Sequence, residues 1–158
     1  MKLCIPLLIG AFGLCLQTGA QETIGKIPES EIALLRSDIR TKKTDIVQQN
    51  LALSEEQAKK FWPLHRSYED ELAKLGDNRF AVIQEYAKDW HDLSDQTAKD
   101  LGKRYLDYQK KRVDLQSKYF DRMSKEISPT VAAKFFQIET QMDTMIDLEI
   151  AWSLPLIK

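Results

Sequence analysis

The stretch LSEEQAKKF, Leu53 to Phe61, reads as the opening of a helix, and the chain writes it twice more in weaker form. LSDQTAKDL runs from Leu93 to Leu101, and ISPTVAAKF from Ile127 to Phe135. Each version places a serine where a helix needs a cap: Ser54, Ser94 and Ser128. A serine hydroxyl there accepts from backbone N–H groups that the first turn leaves unpaired. The next residue is Glu55, Asp95 or Pro129. Acids suit the positive end of the helix dipole, and proline suits the first helical position. Only the first version carries glutamine at the third helical position, Gln57, which completes a capping box. An apolar residue precedes each cap (Leu53, Leu93, Ile127), and alanine stands at the fourth helical position (Ala58, Ala98, Ala132). The seventh position is Phe61, Leu101 or Phe135, the first residue of a buried stripe. Well-capped helices share much of this pattern, and the unequal spacings exclude a solenoid repeat.

Working outward, these starts divide the chain into four helices. A first helix runs from about Ser30 to Asn50, with Ile32, Leu35, Ile39 and Ile46 on one stripe. The second runs from Ser54 to about Trp90, the third from Ser94 to about Glu126, and the fourth from Ser128 to about Trp152. Pro155 ends the last one. Pro63 should bend the second helix, and Gly76-Asp77-Asn78 is a weak point where it would divide. The apolar pattern keeps its phase across that glycine, so continuity is expected. With six glycines, five prolines and no period-2 alternation, the fold class is all-α: an elongated four-helix, hairpin-like subunit.

The leader MKLCIPLLIGAFGLCLQTGAQ pairs Lys2 with an apolar run and small residues at Thr18-Gly19-Ala20. That is the plan of a signal peptide spanning residues 1–20, followed by a flexible lead at 21–29 and one helical domain from 30 to 158. Both cysteines, Cys4 and Cys15, lie in the leader, so the exported chain is expected to hold together by packing alone. The whole chain carries 23 Lys+Arg against 24 Asp+Glu, and losing Lys2 leaves a net charge of about −2. A nucleic-acid partner, which demands a basic face, is not expected. Nor is a membrane span after cleavage.

Chemistry is sparse. Outside the leader there is no thiol, no glycine-rich phosphate loop, and no histidine besides His65 and His91. No nucleophile constellation follows from that, so an enzyme is not expected, and no cofactor is implied. His65 and Glu69 stand four apart on one helix face, and His91 lies with Asp92 and Asp95 near a turn. These are weak zinc candidates, and such pairs are also common by chance in charged helices. Met142 and Met145 join Val131, Phe135 and Ile138 in a stripe that reads as plain core.

The second and third helices carry mixed seams. Phe61, Tyr68, Leu75 and Val82 stand seven apart, with Leu72 and Tyr86 on the offset row, and His65 and Arg79 fall on the same seam. On the third helix Leu101, Tyr108 and Leu115 are seven apart, beside Tyr105, Arg112, Tyr119 and Arg122. Two readings stand: arginines snorkelling from the edge of an ordinary bundle, or an open amphiphilic face for a client or partner. The second makes His65, Tyr68, Leu72, Arg79, Tyr86, Tyr105, Tyr108 and Arg112 the candidate binding face.

LSEEQAKKFWPLHRSYEDELAKL resembles the LTxxQ-motif, Spy/CpxP-like proteins of the bacterial periplasm. Leu53-Ser54-Glu55-Glu56-Gln57 stands where the family has Leu-Thr-x-x-Gln, with serine for threonine. The copy at Leu93 fits a second motif, with Thr97 in place of the glutamine. Phe61-Trp62-Pro63 and Gln137-Ile138-Glu139 are similar to one branch of the family, and the resemblance covers roughly Leu35 to Ile157. It implies hairpin-shaped four-helix subunits pairing into a curved antiparallel homodimer in the periplasm. It also implies one of three roles: an ATP-independent chaperone or envelope-stress protein holding unfolded clients, an accessory regulator docking on a two-component sensor kinase, or a metal binder or sensor.

Overall fold

The computed structural model describes residues 29–157, with side chains from Ser37 onward; the leader, the lead segment up to Pro28, and the side chains of Ile32 and Leu35 lie outside them. Four helices follow in order: α1 Glu29–Asn50, α2 Glu55–Asp89, α3 Asp95–Glu126 and α4 Pro129–Ser153. The fold is all-α, and no strand occurs among the described residues. Each serine caps its helix. Ser54 Oγ accepts from Gln57 N at 3.2 Å while Gln57 Oε1 accepts from Ser54 N at 3.0 Å, closing the capping box. Ser94 accepts from Thr97 N and Ser128 from Val131 N, each at 3.2 Å.

Short connections turn the chain back at each cap, so successive helices run antiparallel. Ion pairs and ring contacts record the register: Arg40 meets Glu69 across α1 and α2, Tyr68 meets Tyr119 across α2 and α3, and Phe120 meets Phe136 across α3 and α4. α4 also packs on α1, which closes an up-down-up-down bundle. α2 is continuous through Pro63 and Gly76, about 52 Å at 1.5 Å per residue. Proline is tolerated there because Pro63 is exposed, so the strain falls on the solvent side. No helix among the described residues is long and apolar enough to cross a membrane.

The densest packing lies at the end where α1 turns into α2 and α3 into α4. Phe61, Tyr68, Phe135, Met123 and Val47 are fully shielded there. Phe61 and Phe135 meet edge to face at 5.4 Å, Phe135 and Phe136 at 4.8 Å, and Tyr68 and Phe135 at 5.7 Å. Edge-on geometry sets ring edges against negative ring faces and adds to the burial gain. The first stripe residues, Phe61, Leu101 and Phe135, are all buried.

Parts of two apolar stripes do not face where the sequence placed them. On α1, Ile39 is 45% and Ile46 40% exposed, while Lys43 and Val47 turn inward. The ion pairs of Lys43 with α2 and α4 set the helix's rotation, and the isoleucines follow it outward. On α4, Met142 is buried but Met145 is 72% exposed. A seven-residue stripe drifts across a straight helix of 3.6 residues per turn, and by the last turns Ile146 and Ile150 have replaced it on the inner side.

Stability should respond to the local devices independently. A Cβ at Gly76 would meet nothing within 4 Å, so Gly76→Ala is expected to raise unfolding free energy by about 0.5–1 kcal/mol. Ser54→Ala, which opens the capping box, is expected to lower it by about 1 kcal/mol. Urea titration of both variants checks the pair. A loss on Gly76→Ala would mean that α2 needs a break there.

Candidate functional site

The Arg- and Tyr-bearing seams of α2 and α3 turn inward. His65, Tyr68, Tyr108 and Arg112 are buried, and Leu72, Arg79 and Tyr86 are half-buried; of the eight candidate face residues only Tyr105 is exposed. The reason is the partner supplied by α4. Its carboxylates Glu139, Asp143 and Asp147 recur along the inner side at helical spacing and give the seam's cations counter-charges. What sequence alone leaves open as a face is, within one chain, largely a buried polar layer, bordered by a groove of about 510 Å³ among Arg40, Lys43, Leu72, Gly76, Tyr108 and Arg112.

That layer is a ladder of alternating charge. Lys43 Nζ donates to Glu139 Oε1 at 2.7 Å and lies 3.4 Å from Glu69 Oε1 and 3.9 Å from Asp143 Oδ1. Tyr68 Oη also donates to Glu139 Oε1, at 3.2 Å. Arg112 holds Asp143 and donates to Asp147 Oδ2 at 3.1 Å. Arg79 lies 2.6 Å from Asp147 Oδ1, with its guanidinium 5.6 Å from the centre of the Tyr108 ring. Arg40 anchors the outer end on Glu69 and Asp70.

Burial and neighbours set the protonation states. Burial raises the Glu139 carboxyl, and Asp143 and Glu69 add to it against the pull of Lys43, leaving it at about 7. Its Oε2 is buried without a hydrogen-bond partner. Burial alone would lower Lys43, but Glu139, Glu69 and Asp143 together outweigh it and hold the ammonium above its ordinary value. Tyr68 is pushed up by burial and by Glu139.

The zinc candidates are not brought together. His65 lies among rings, 5.6 Å from Phe61, 5.4 Å from Trp62 and 5.6 Å from Phe135, and burial with Lys43 and Arg40 nearby lowers it to about 4. It is a neutral aromatic filler at ordinary pH. Glu69 is engaged by Lys43 and Arg40, and His91 is exposed beside Trp90 at the far end of α2, on the order of 35 Å from His65. Among the described residues no group of three or more potential ligands is close enough to hold a metal ion.

Two features lie beyond the seam reading. Large apolar side chains stand exposed on α3 (Leu106 68%, Val113 62%, Phe120 38%) and on α4 (Met145 72%, Leu148 56%, Trp152 82%). The α3 set is spaced by seven, but seven-residue rows also mark the buried seam, so spacing alone does not separate inner from outer. The second feature is an apolar groove near the α2–α3 turn.

No family model, no curated protein and no solved structure matches the chain.

The ladder makes stability depend on pH in opposite senses. A raised Glu139 stabilises the fold fully below about pH 4.5, and that contribution is lost as pH rises through about 7. A lowered His65 contributes above pH 6.5, and this is lost as pH falls towards 4. Glu139→Gln is expected to flatten the alkaline fall, and His65→Leu the acid fall, in unfolding free energies measured from pH 4 to 8. Lys43→Met, which leaves Glu139 and its neighbours without their cation, is expected to cost about 3–5 kcal/mol at pH 8 and less at pH 5.

Proposed function

We propose that this chain is an exported, Spy/CpxP-like binding protein without catalysis: an ATP-independent chaperone that holds unfolded clients on its outer helical surface. The observation that carries the reading is the pair of exposed apolar stripes. Monomeric proteins rarely leave such sets uncovered unless they bind something. The leader, the capping motifs and the resemblance built on them support the periplasm as the setting.

The two stripes differ in kind and divide the work between them. Leu106, Val113 and Phe120 repeat every seven residues with Gln109 and Gln116 between them, the spacing of a helix-to-helix contact. This stripe pairs with a second copy to form the homodimer. Met145, Leu148 and Trp152 offer a flexible thioether, a branched aliphatic chain and a large ring on the outer face of α4. Soft and amphipathic groups of this kind adapt to many partners. Weak, mobile client binding follows from such a face, edged by charges of both signs.

The protein is expected to suppress aggregation of several chemically unfolded clients at near-stoichiometric amounts. The Met145→Gln, Leu148→Gln, Trp152→Gln variant should lose at least about fivefold in potency, with its unfolding midpoint nearly unchanged because none of the three side chains is buried. Absence of suppression in the parent protein, or full potency in the variant, overturns the client reading. Light scattering at micromolar concentration is expected to read a dimer, and Leu106→Lys with Val113→Lys a monomer.

A further inference from the structure

At the end of the bundle remote from the aromatic core, α2, α3 and α4 surround a groove of about 370 Å³. Its walls are Val82, Ile83, Leu101, Ile150, Leu154 and Ile157, and Tyr86 Oη donates to the carbonyl of Pro155 at 2.5 Å, which holds the tail in place as one wall. Arg79 and Asp147 at its inner end answer each other across 2.6 Å, so the groove offers an occupant apolar surface and no free charge. α3 packs closely on both α2 and α4, while α2 and α4 make no backbone contact of that extent. The side between α2 and α4 belongs to α1, whose Lys43 reaches Glu69 on the one and Glu139 on the other.

α1 is too short to fill that side. It has 22 residues against 35 in α2, about 33 Å against 52 Å. Arg40 stands beside Asp70 and Lys43 beside Glu69, and the two helices run antiparallel, so Glu29 at the start of α1 comes level with Ala81 to Ile83. The Lys43–Glu139 pair brings the same start level with Ser153 on α4. Tyr86, Leu154 and Ile157 lie past that point, where three helices surround the space that a fourth element would take. The chain just ahead of α1 is QETIGKIP, Gln21 to Pro28, with isoleucines at 24 and 27. An extended chain covers up to about 3.5 Å per residue, so Ile27 comes within about 7 Å and Ile24 within about 17 Å of the start of α1. The α2 wall from Arg79 to Tyr86 spans about 10 Å, which both isoleucines can reach.

We infer that the groove is the docking site for this chain's own N-terminal lead, with the Ile27 side chain and Ile24 beside it as the apolar occupant that α1 is too short to supply. Glu22 and Lys26 carry opposite charges, so the lead brings no net charge to a groove whose own ion pair is neutral. Covering Val82, Leu101 and Ile150 with two aliphatic chains removes apolar surface of both partners from water. The contact also anchors α1 at its first turn, about three turns from the ion pairs of Arg40 and Lys43. This site is separate from the outer stripes and stands whether or not they bind clients.

The test uses methyl-labelled protein. Nuclear Overhauser cross-peaks are expected between the Ile27 methyls and those of Val82, Leu101 and Ile150. Ile27→Ser is expected to shift these three groove resonances, to leave Leu106, Val113 and Leu148 in place, and to lower the unfolding midpoint by about 3–8 °C. Gly102→Leu fills the groove from a position where an added Cβ meets nothing within 4 Å, and leucine favours the helix, so the variant keeps its fold. In that background the cross-peaks are expected to vanish and Ile27→Ser to leave the midpoint unmoved, a loss of additivity that marks a shared site. Mixing labelled with unlabelled chains identifies the source: cross-peaks found only between chains place a second copy's lead in the groove and overturn the assignment. No cross-peak from Ile24 or Ile27 to the groove, or an equal loss on Ile27→Ser in both backgrounds, overturns it as well.

Discussion

The bond between Lys43 and Glu139 fixes more of this bundle than its single 2.7 Å contact implies. Among the described side chains of α1, Lys43 and Val47 turn inward, with Leu51 just beyond the helix end, while Ile39 and Ile46 face outward. A helix so weakly amphipathic has no unique rotation from hydrophobic burial alone. Lys43 supplies one, because an ammonium at 8% exposure must sit where Glu139, Glu69 and Asp143 converge. Buried pairs of this kind return little net stability after desolvation, but they penalise every alternative rotation heavily. In this protein the pair acts as a registration device: it tells α1 which side is in.

The same logic explains which parts of the structure were legible in the sequence. Helix ends were, since a cap is decided by residues within one turn of each other: Ser54 and Gln57 need no distant partner. Helix rotation was not, wherever charge enters the core. Arg112 reads as a surface or open-face residue until Asp143 and Asp147, more than thirty positions on, are seen to lie opposite. Tyr68 and Glu139 likewise stand seventy-one residues apart. Apolar stripes were legible where they were dense, as at Phe61 and Phe135, and misread where a charged partner or the 3.6-residue drift moved them, as at Ile46 and Met145. Of the candidate site, seam spacing picks out Tyr68, Arg79, Tyr108 and Arg112, but not Lys43 or the α4 carboxylates that bury them.

Along its length the bundle changes character in three stages. Rings fill the end where the first and third turns lie, ion pairs line the middle beside a groove of about 510 Å³, and the far end is left partly unfilled. Each stage has a different mechanical consequence. The ring-packed end resists opening because edge-to-face contacts are lost together. The ionic middle resists rotation but admits protons, through a carboxyl poised at about 7. The far end, with Arg79 and Asp147 at its floor, meets the ladder where its last two charges are shared between layer and groove.

α3 shows how a protein without disulfides in this region keeps stability and surface function apart. Its inner rows, Leu101, Tyr108, Arg112, Leu115, Tyr119 and Met123, are buried and carry the fold. Its outer row, Leu106 and Val113, is more than 60% exposed and carries almost none of it. Burial energy scales with area removed from water, so side chains that stay wet in the single chain contribute only when something covers them. Stability and outer-face recognition can therefore vary nearly independently on this one helix. Asp143 and Asp147 on α4 lie on the other side of that division: both hold cations of the ladder, so change there should register in stability.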